Sequence, residues 1–279
     1  MNSTNSQNLT YQLLDFGSGR KLEQFGARLL DRPCPAADLF QPRNSSLWKS
    51  ADIRLPQDKT PADHWLTTFK IAEGLSLTMQ LSITPFGHVG LFPEQLPHWI
   101  WLYEQVKQAP LDQVRALNLF AYTGGSTLAM AMGGAQVVHV DASAPSVSWA
   151  RTNAAQNQFQ DHPIRWIVED ARKFVEREIR RGNHYDIIVL DPPSYGHGPS
   201  GKAWDLAHDW QRLLDGCLRL IETSSYARLL WTGHSEVPSV DQIDVILRSR
   251  HMRIQRGRNL LTDVHNRALD AGHFIRGLR

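Results

Sequence analysis

The chain has 279 residues, 42% hydrophobic and 21% charged, with a formal net charge of +2. This describes a globular protein large enough to bury a substantial core in one domain or one and a half. No apolar run approaches the roughly 18 residues a membrane-spanning helix needs, and the near-neutral total gives no case for a nucleic-acid partner by itself.

The opening "MNSTNSQNLT" is polar and uncharged, unlike a signal peptide, and predicts a frayed end. Residues 1–95 predict a small, mostly β portion. "YQLLDFGSGRKLEQFGARLLDRP" breaks short apolar stretches with Gly-rich turns, and "WLTTFKIAEGLSLTMQLSITPFGHVG" alternates across Glu73-Gly74. A helix is expected after Pro97, through "HWIWLYEQVKQA". The second portion, residues 96–279, predicts strands at Ala116–Phe120, Val137–Val140, Ile164–Val168, Tyr185–Leu190 and Ala227–Thr232, with helices at Ser126–Met132, Pro145–Gln156, Ala171–Arg181 and Asp205–Ile221. That alternation predicts βαβ crossovers and a parallel sheet covered on both faces. Chemistry is then expected just beyond the carboxyl ends of the strands. Two cysteines, Cys34 and Cys217, give neither a disulfide framework nor a metal-ligand spacing, which suits a reducing cytoplasm. Residues 248–279 carry eight arginines against Asp263 and Asp270, either a phosphate-facing patch or a solvated surface.

The stretch "ALNLFAYTGGSTLAMAMGGAQVVHVDAS", residues 116–143, has the outline of a nucleotide-binding βαβ unit. Gly124 and Gly125 lack the third glycine of a dinucleotide fingerprint, and no Lys follows to make a Walker loop. What remains is a short turn into a helix N-terminus, suited to an anion as small as a carboxylate. Asp141 ends the second strand and can accept from two ribose hydroxyls; Asp170, ending the third in "VEDARKFV", can hold an adenine amine. An adenosine with an amino-acid tail and no phosphate is S-adenosylmethionine. Asp is also favoured as a helix N-cap, so each acid alone has a purely structural reading.

Residues 115–235 resemble the class I S-adenosylmethionine-dependent methyltransferases, and within them the bacterial large-subunit ribosomal RNA methyltransferases, through "NLFAYTGGST", "VDASAPSVSWARTNAAQN", "VEDARKFV" and "DPPSYG"; "FGHVGLFPEQ" at 86–95 is similar to the segment ahead of the cofactor domain. The resemblance implies an α/β Rossmann-like fold, a seven-stranded mostly parallel sheet in the order 3-2-1-4-5-7-6, with "HMRIQRGRNL" and "GHFIRGLR" as strands six and seven. It implies that Phe120, Tyr122, Thr123, Gly124 and Gly125 receive the cofactor's methionine end. Asp141, Ala142 and Ser143 would lie at the ribose and Asp170 with Ala171 at the adenine. Asp191 would lie near the methyl group, and Phe92 and Gln95 would lie over the cofactor.

"YDIIVLDPPSYGHGPSGK" is the most specific stretch. Pro192 and Pro193 fix the backbone and remove two donors, so the loop is expected to present carbonyls. In enzymes with such a loop these accept from a flat nitrogenous substrate while an aromatic, here Tyr195, stacks on it. His197 and Lys202 follow, as substrate contacts or solvated side chains; Trp210 is expected in the core and Trp204 is left open. "ARLLWTGHSE" ends the fifth strand without the nucleophilic Cys that C5 methylation of cytosine needs. His234 there could take a proton, bind substrate or be structural, and Trp231 is expected in the core. The expected activity is methylation of a base nitrogen of ribosomal RNA. A small-molecule or protein methyltransferase, and a non-catalytic S-adenosylmethionine-binding module, are the rivals.

Overall fold

Residues Tyr11–Pro33 form a meander because each short apolar run is broken by a turn that glycine allows, at Gly19 and Gly26. The computed structural model describes residues 10–56, 64–84, 87–197 and 203–279, so the expectations for the first residues and for Lys202 fall outside the described residues. Strands β1 (Tyr11–Gly17), β2 (Arg20–Phe25) and β3 (Arg28–Pro33) pair antiparallel, and a short helix α1 (Ser45–Trp48) leads to β4 (Ile53–Arg54), parallel to β3. Leu13, Phe16, Leu22, Phe25 and Leu30 are buried. Strands β5 (Trp65–Ala72) and β6 (Leu75–Leu81) form the hairpin expected across Glu73-Gly74, with Gly74 at φ +70°.

Helix α2 (Leu96–Gln108) precedes the alternating part of the chain. There β7 (Arg115–Leu119), α3 (Gly125–Gly133), β8 (Gln136–Asp141), α4 (Ala144–Gln156), β9 (Ile164–Val168), α5 (Ala171–Arg180) and β10 (Ile187–Leu190) follow one another. A hairpin of β11 (Tyr195–His197) and β12 (Ala203–Asp205) intervenes before α6 (Leu206–Leu220), β13 (Arg228–Gly233), α7 (Val240–Ser249), β14 (Arg253–Thr262) and β15 (Ala268–Leu278). Seven of these strands form one sheet in the order β14-β15-β13-β10-β7-β8-β9. Neighbours from β13 to β9 are parallel, and β15 runs antiparallel to β13. This is the 3-2-1-4-5-7-6 order that the resemblance implied.

Helix starts are written in side chains. Ser143, Asp170, Asp205 and Ser239 each accept a backbone N–H at the head of α4, α5, α6 and α7, and Ser239 with Gln242 forms a full capping box. One face of the sheet packs against α5, α6 and α7 through Phe174, Leu214, Trp231 and Ile243; the other packs through Leu102, Met130, Val137 and Ile187. Trp210 belongs to the first of these cores, as expected. Gly216 lets α5 and α6 close, because a Cβ there would stand 2.6 Å from Val175 Cγ1.

The chain divides into two compact units, residues up to Leu96 with Leu260–Ala271, and Pro97–Asn259 with Gly272–Arg279. A boundary read along the sequence at 95/96 does not foresee that the tip of the β14–β15 hairpin groups with the N-terminal unit. Within that unit Arg267 pairs with Asp15 and Asp263, which are distant and near in sequence respectively.

Phe174 is fully buried, so Phe174→Ala is expected to cost about 3–5 kcal/mol of stability by chemical denaturation. Val245→Ala, on a residue 69% exposed on α7, should change it by less than about 0.5 kcal/mol.

Candidate functional site

The turn between β7 and α3 is strained. Phe120 (φ +55°) and Tyr122 (φ +49°), both with side chains, adopt the left-handed region, followed by Gly124 at +94°. Hydrogen bonds hold it there. Ala121 N–H donates to Val140 O (3.1 Å), Tyr122 N–H to Asp141 Oδ2 (2.8 Å) and Gly124 N–H to Ala121 O (3.0 Å). From α4, Asn153 Nδ2 donates to the carbonyl of the buried Thr123 (2.9 Å). Both glycines are required. A Cβ on Gly124 would meet Ala150 Cβ at 3.1 Å, and one on Gly125 would stand 2.4 Å from Trp99. Gly124 offers no side-chain cap, so α3 starts with backbone donors open to a small anion.

The two acids expected at the cofactor behave differently. Asp141 does not cap α4; Ser143 does. Its Oδ2 accepts from Tyr122 N–H and its Oδ1 from Ser143 N–H, both at 2.8 Å. A carboxylate has about four acceptor positions, so two remain for a pair of hydroxyls. Burial pushes its pKa up, against the two backbone hydrogen bonds that lower it. Asp170 does cap its helix, accepting from Arg172 N–H (2.9 Å) and Lys173 N–H (3.3 Å). The Arg172 side chain also grips it at 3.1 and 2.7 Å and reaches Asp209 at 2.5 Å. Burial raises Asp170, but Arg172 outweighs it and the carboxyl lies below its ordinary range. The cap reading of the sequence is thus the geometry found at Asp170, and Ala171 follows buried at the first turn of α5.

The acceptor-side loop begins at Asp191, half-buried at the end of β10. Burial pushes Asp191 up, while a hydrogen bond from Thr232 and the charge of His234 pull the other way. Pro192 is buried and Pro193 exposed. Of the carbonyls this loop is expected to present, that of Pro193 is already taken, accepting from Trp204 Nε1 at 2.6 Å. Ser194 Oγ meets Ser235 Oγ across the gap to β13. Tyr195 stands 75% exposed on β11, opposite Asp205 of β12. His234 is exposed beyond β13, and Trp231 is core. The structure therefore brings Tyr122, Asp141, Ala142 and Ser143 together at two neighbouring strand ends, and Asp191, Thr232 and His234 at two others.

Phe92 and Gln95 lie in the N-terminal unit, Phe92 with its ring 5.3 Å from His88 and Gln95 buried in a short 3₁₀ turn. Cys217 is in the core of the second unit, where burial pushes its thiol far up; burial also raises Cys34 in the first unit. The arginine-rich tail resolves mainly into pairs. Arg248 and Arg256 bond to Asp244 and Asp241, Arg250 lies 3.9 Å from Glu222, and Arg279 donates to carbonyls of Ile221 and Glu222. Arg276 lies 4.4 Å over Trp101 and donates to His98 Nδ1, and burial lowers its pKa to about 10.

Sequence reading missed Asn153 and Arg172, and also the buried line Asn118–Thr127–His139 beneath α3, joined at 2.9 and 3.0 Å. His139 is kept neutral, its pKa lowered to about 3 chiefly by burial and then by Arg151. A polar residue on the inward face of an apolar strand was the signal for Asn118 and His139.

Residues 60–227 match the sequence profile of the S-adenosylmethionine-dependent methyltransferases. A SAM-dependent methyltransferase from Agrobacterium tumefaciens of known structure is 33% identical, with a TM-score of 0.87, over 98% of this chain and 92% of that one. A candidate SAM-dependent methyltransferase from Streptococcus mutans shares the fold at 17% identity and a TM-score of 0.68, over 98% of this chain and 76% of its own. The ribosomal RNA large subunit methyltransferase K/L of Syntrophotalea carbinolica is 34% identical over 145 residues, 52% of this chain. That match spans 19% of the K/L protein.

The open α3 terminus and the half-used Asp141 carboxylate suit the amino-acid and ribose ends of S-adenosylmethionine. Hydroxyl donors placed at Asp141 would be held more strongly by its ionised than by its protonated carboxyl, so protonation would weaken such binding. Affinity is expected to hold at neutral pH and to fall, as pH drops, at a higher pH than an ordinary aspartate would give. Calorimetric titration from pH 8 downward measures this, and Asp141→Ala should remove the pH dependence together with at least tenfold of the affinity.

Proposed function

The chain belongs to the S-adenosylmethionine-dependent methyltransferase family, and on that premise we propose that it methylates a base nitrogen of ribosomal RNA. The observation that carries this reading is the half-buried Asp191 at a Pro-Pro turn beside an exposed Tyr195, on the strand next to the cofactor turn. The names of the relatives matched over half the chain support ribosomal RNA as the acceptor.

S-adenosylmethionine, when bound, supplies an electrophilic methyl group on sulfur. The chain's own work is binding, orientation and exclusion of water. We assign Phe120 and Tyr122–Gly125 to the carboxylate end, Asp141 with Ala142 and Ser143 to the ribose, and Asp170 with Ala171 to the adenine edge. Asp170 Oδ2 holds a single Arg172 donor in the bonds described, which leaves it acceptor capacity for an exocyclic amine. Phe92 and Gln95 are retained as cofactor contacts on sequence resemblance. At the acceptor, Tyr195 offers a face for a base, and Asp191 with the Pro192 carbonyl would accept from the base N–H so that its lone pair is aimed. His234 is the group to receive the proton released after transfer. Positioning of this kind is what an already activated sulfonium requires. The proposed transfer uses no thiol nucleophile: β13 ends in Thr232-Gly233, followed by His234, with no Cys, Cys217 is buried in the core, and burial raises both its thiol and that of Cys34. The enzyme is proposed to be cytoplasmic. Among the described residues, no helix is long and apolar enough to cross a membrane.

A small-molecule or protein acceptor is the second reading, favoured by the net charge of +2 and by the ion pairing of the arginine-rich tail. Radiolabelled methyl transfer to a large-subunit ribosomal RNA transcript separates the two. RNA binding should weaken steeply between low and physiological salt; a flat salt response with no labelled RNA would sink the RNA reading. Asp191→Ala should bind S-adenosylmethionine and lose at least about a hundredfold in kcat, whereas full activity would refute its role. Cys217→Ser and Cys34→Ser should keep turnover, and loss of it in either would restore a covalent mechanism.

A further inference from the structure

Trp204 touches three parts of the site that are far apart in sequence, and none of the motifs assigns it a role. Its side chain is 5% exposed. The indole Nε1 donates to Pro193 O at 2.6 Å, a bond to the acceptor loop. Its ring lies 4.9 Å from that of Phe120, the first left-handed residue of the cofactor turn. The guanidinium of Arg172, which holds Asp170 at the adenine edge, stands 5.5 Å over the same ring. Proline carries no N–H, so the Asp191–Pro193 turn has no backbone donors of its own at Pro192 or Pro193 with which to fix itself. The carbonyl of Pro193 is the handle left, and Trp204 holds it. The next carbonyl, Ser194 O, is held by Leu206 N–H at 3.0 Å, from the helix that Trp204 precedes.

We infer that Trp204 is a positioning residue that couples the cofactor turn to the acceptor loop, transmitting the ordering of Phe120 on cofactor binding to Pro193 and so leaving Pro192 O as the proline carbonyl facing the acceptor. The inference rests on the methyltransferase reading of this site. A Phe120 ring fixed by bound ligand fixes the indole against it. The indole N–H then holds Pro193 in one orientation, and Ser194–Gly196 follow.

Trp204→Phe keeps an aromatic ring and removes the donor. Hydrogen exchange of the amides of Ser194–Gly196, with and without saturating S-adenosylhomocysteine, reads the coupling without any acceptor. In the wild type the ligand should slow exchange at these amides at least fivefold. Trp204→Phe should bind S-adenosylhomocysteine within about twofold of wild type and lose that slowing. With a large-subunit ribosomal RNA transcript as acceptor, kcat should fall about tenfold with the KM for S-adenosylmethionine nearly unchanged. Phe120→Leu, which keeps the Trp204–Pro193 bond and breaks the ring contact, should lose the slowing too, and it decides the matter should Trp204→Phe fold poorly. Undiminished slowing in either folded variant overturns the coupling while leaving the cofactor assignment intact. A wild-type chain that binds no S-adenosylhomocysteine overturns the cofactor reading and the coupling together.

Discussion

Strands β7 and β10 run parallel at the centre of the sheet, Leu119 opposite Leu190, and the sequence order of strands reverses between them. Chain leaving β7 turns to one side and chain leaving β10 to the other, so a crevice opens at their carboxyl ends. The Gly-Gly turn and the Asp191 loop lie at that crevice because of this pairing. Both strands are buried on both faces, Ala116–Leu119 and Ile187–Leu190 being apolar apart from Asn118, so the base of the crevice is close-packed from both sides. The site inherits its rigidity from that burial.

Rigidity at the base permits strain at the rim. Two left-handed residues with side chains, Phe120 and Tyr122, each carry a cost of order 1–3 kcal/mol. The supports are identifiable: Asp141 takes the Tyr122 N–H, Asn153 holds the Thr123 carbonyl, and Trp99 lies flush under Gly125. The contrast between Asp141 and Asp170 follows from their neighbours. Asp141 faces only backbone donors and keeps a raised pKa, while Asp170 is met by Arg172 and is lowered. Two acids at equivalent strand ends therefore differ in how much acceptor capacity they offer a ligand.

Charge is distributed locally rather than as one field. The arginines of the C-terminal stretch are met by Asp241, Asp244, Glu222 and Asp263, and Arg276 is drawn in over Trp101. Counting arginines along a sequence overstates a patch wherever sheet pairing and helix packing return acids to them.

Legible along the chain were the strand–helix alternation, the Gly-Gly turn after β7, Asp141 at the end of β8 and the Pro-Pro turn after β10, because each of these depends on local backbone rules or on apolar periodicity. The sequence also placed Trp231 and Trp210 in the core from their neighbours. Tertiary packing set the rest: Arg172 reaches Asp209 as well as Asp170, Pro193 is bonded to Trp204, Asn153 braces Thr123, and Leu260–Ala271 groups with the N-terminal unit. Each of these joins residues whose spacing carries no periodic signal. A hydrogen bond across 11 or 30 positions leaves no mark in a single sequence, since it is set by how helices cross the sheet and which side chains they bring within 3 Å.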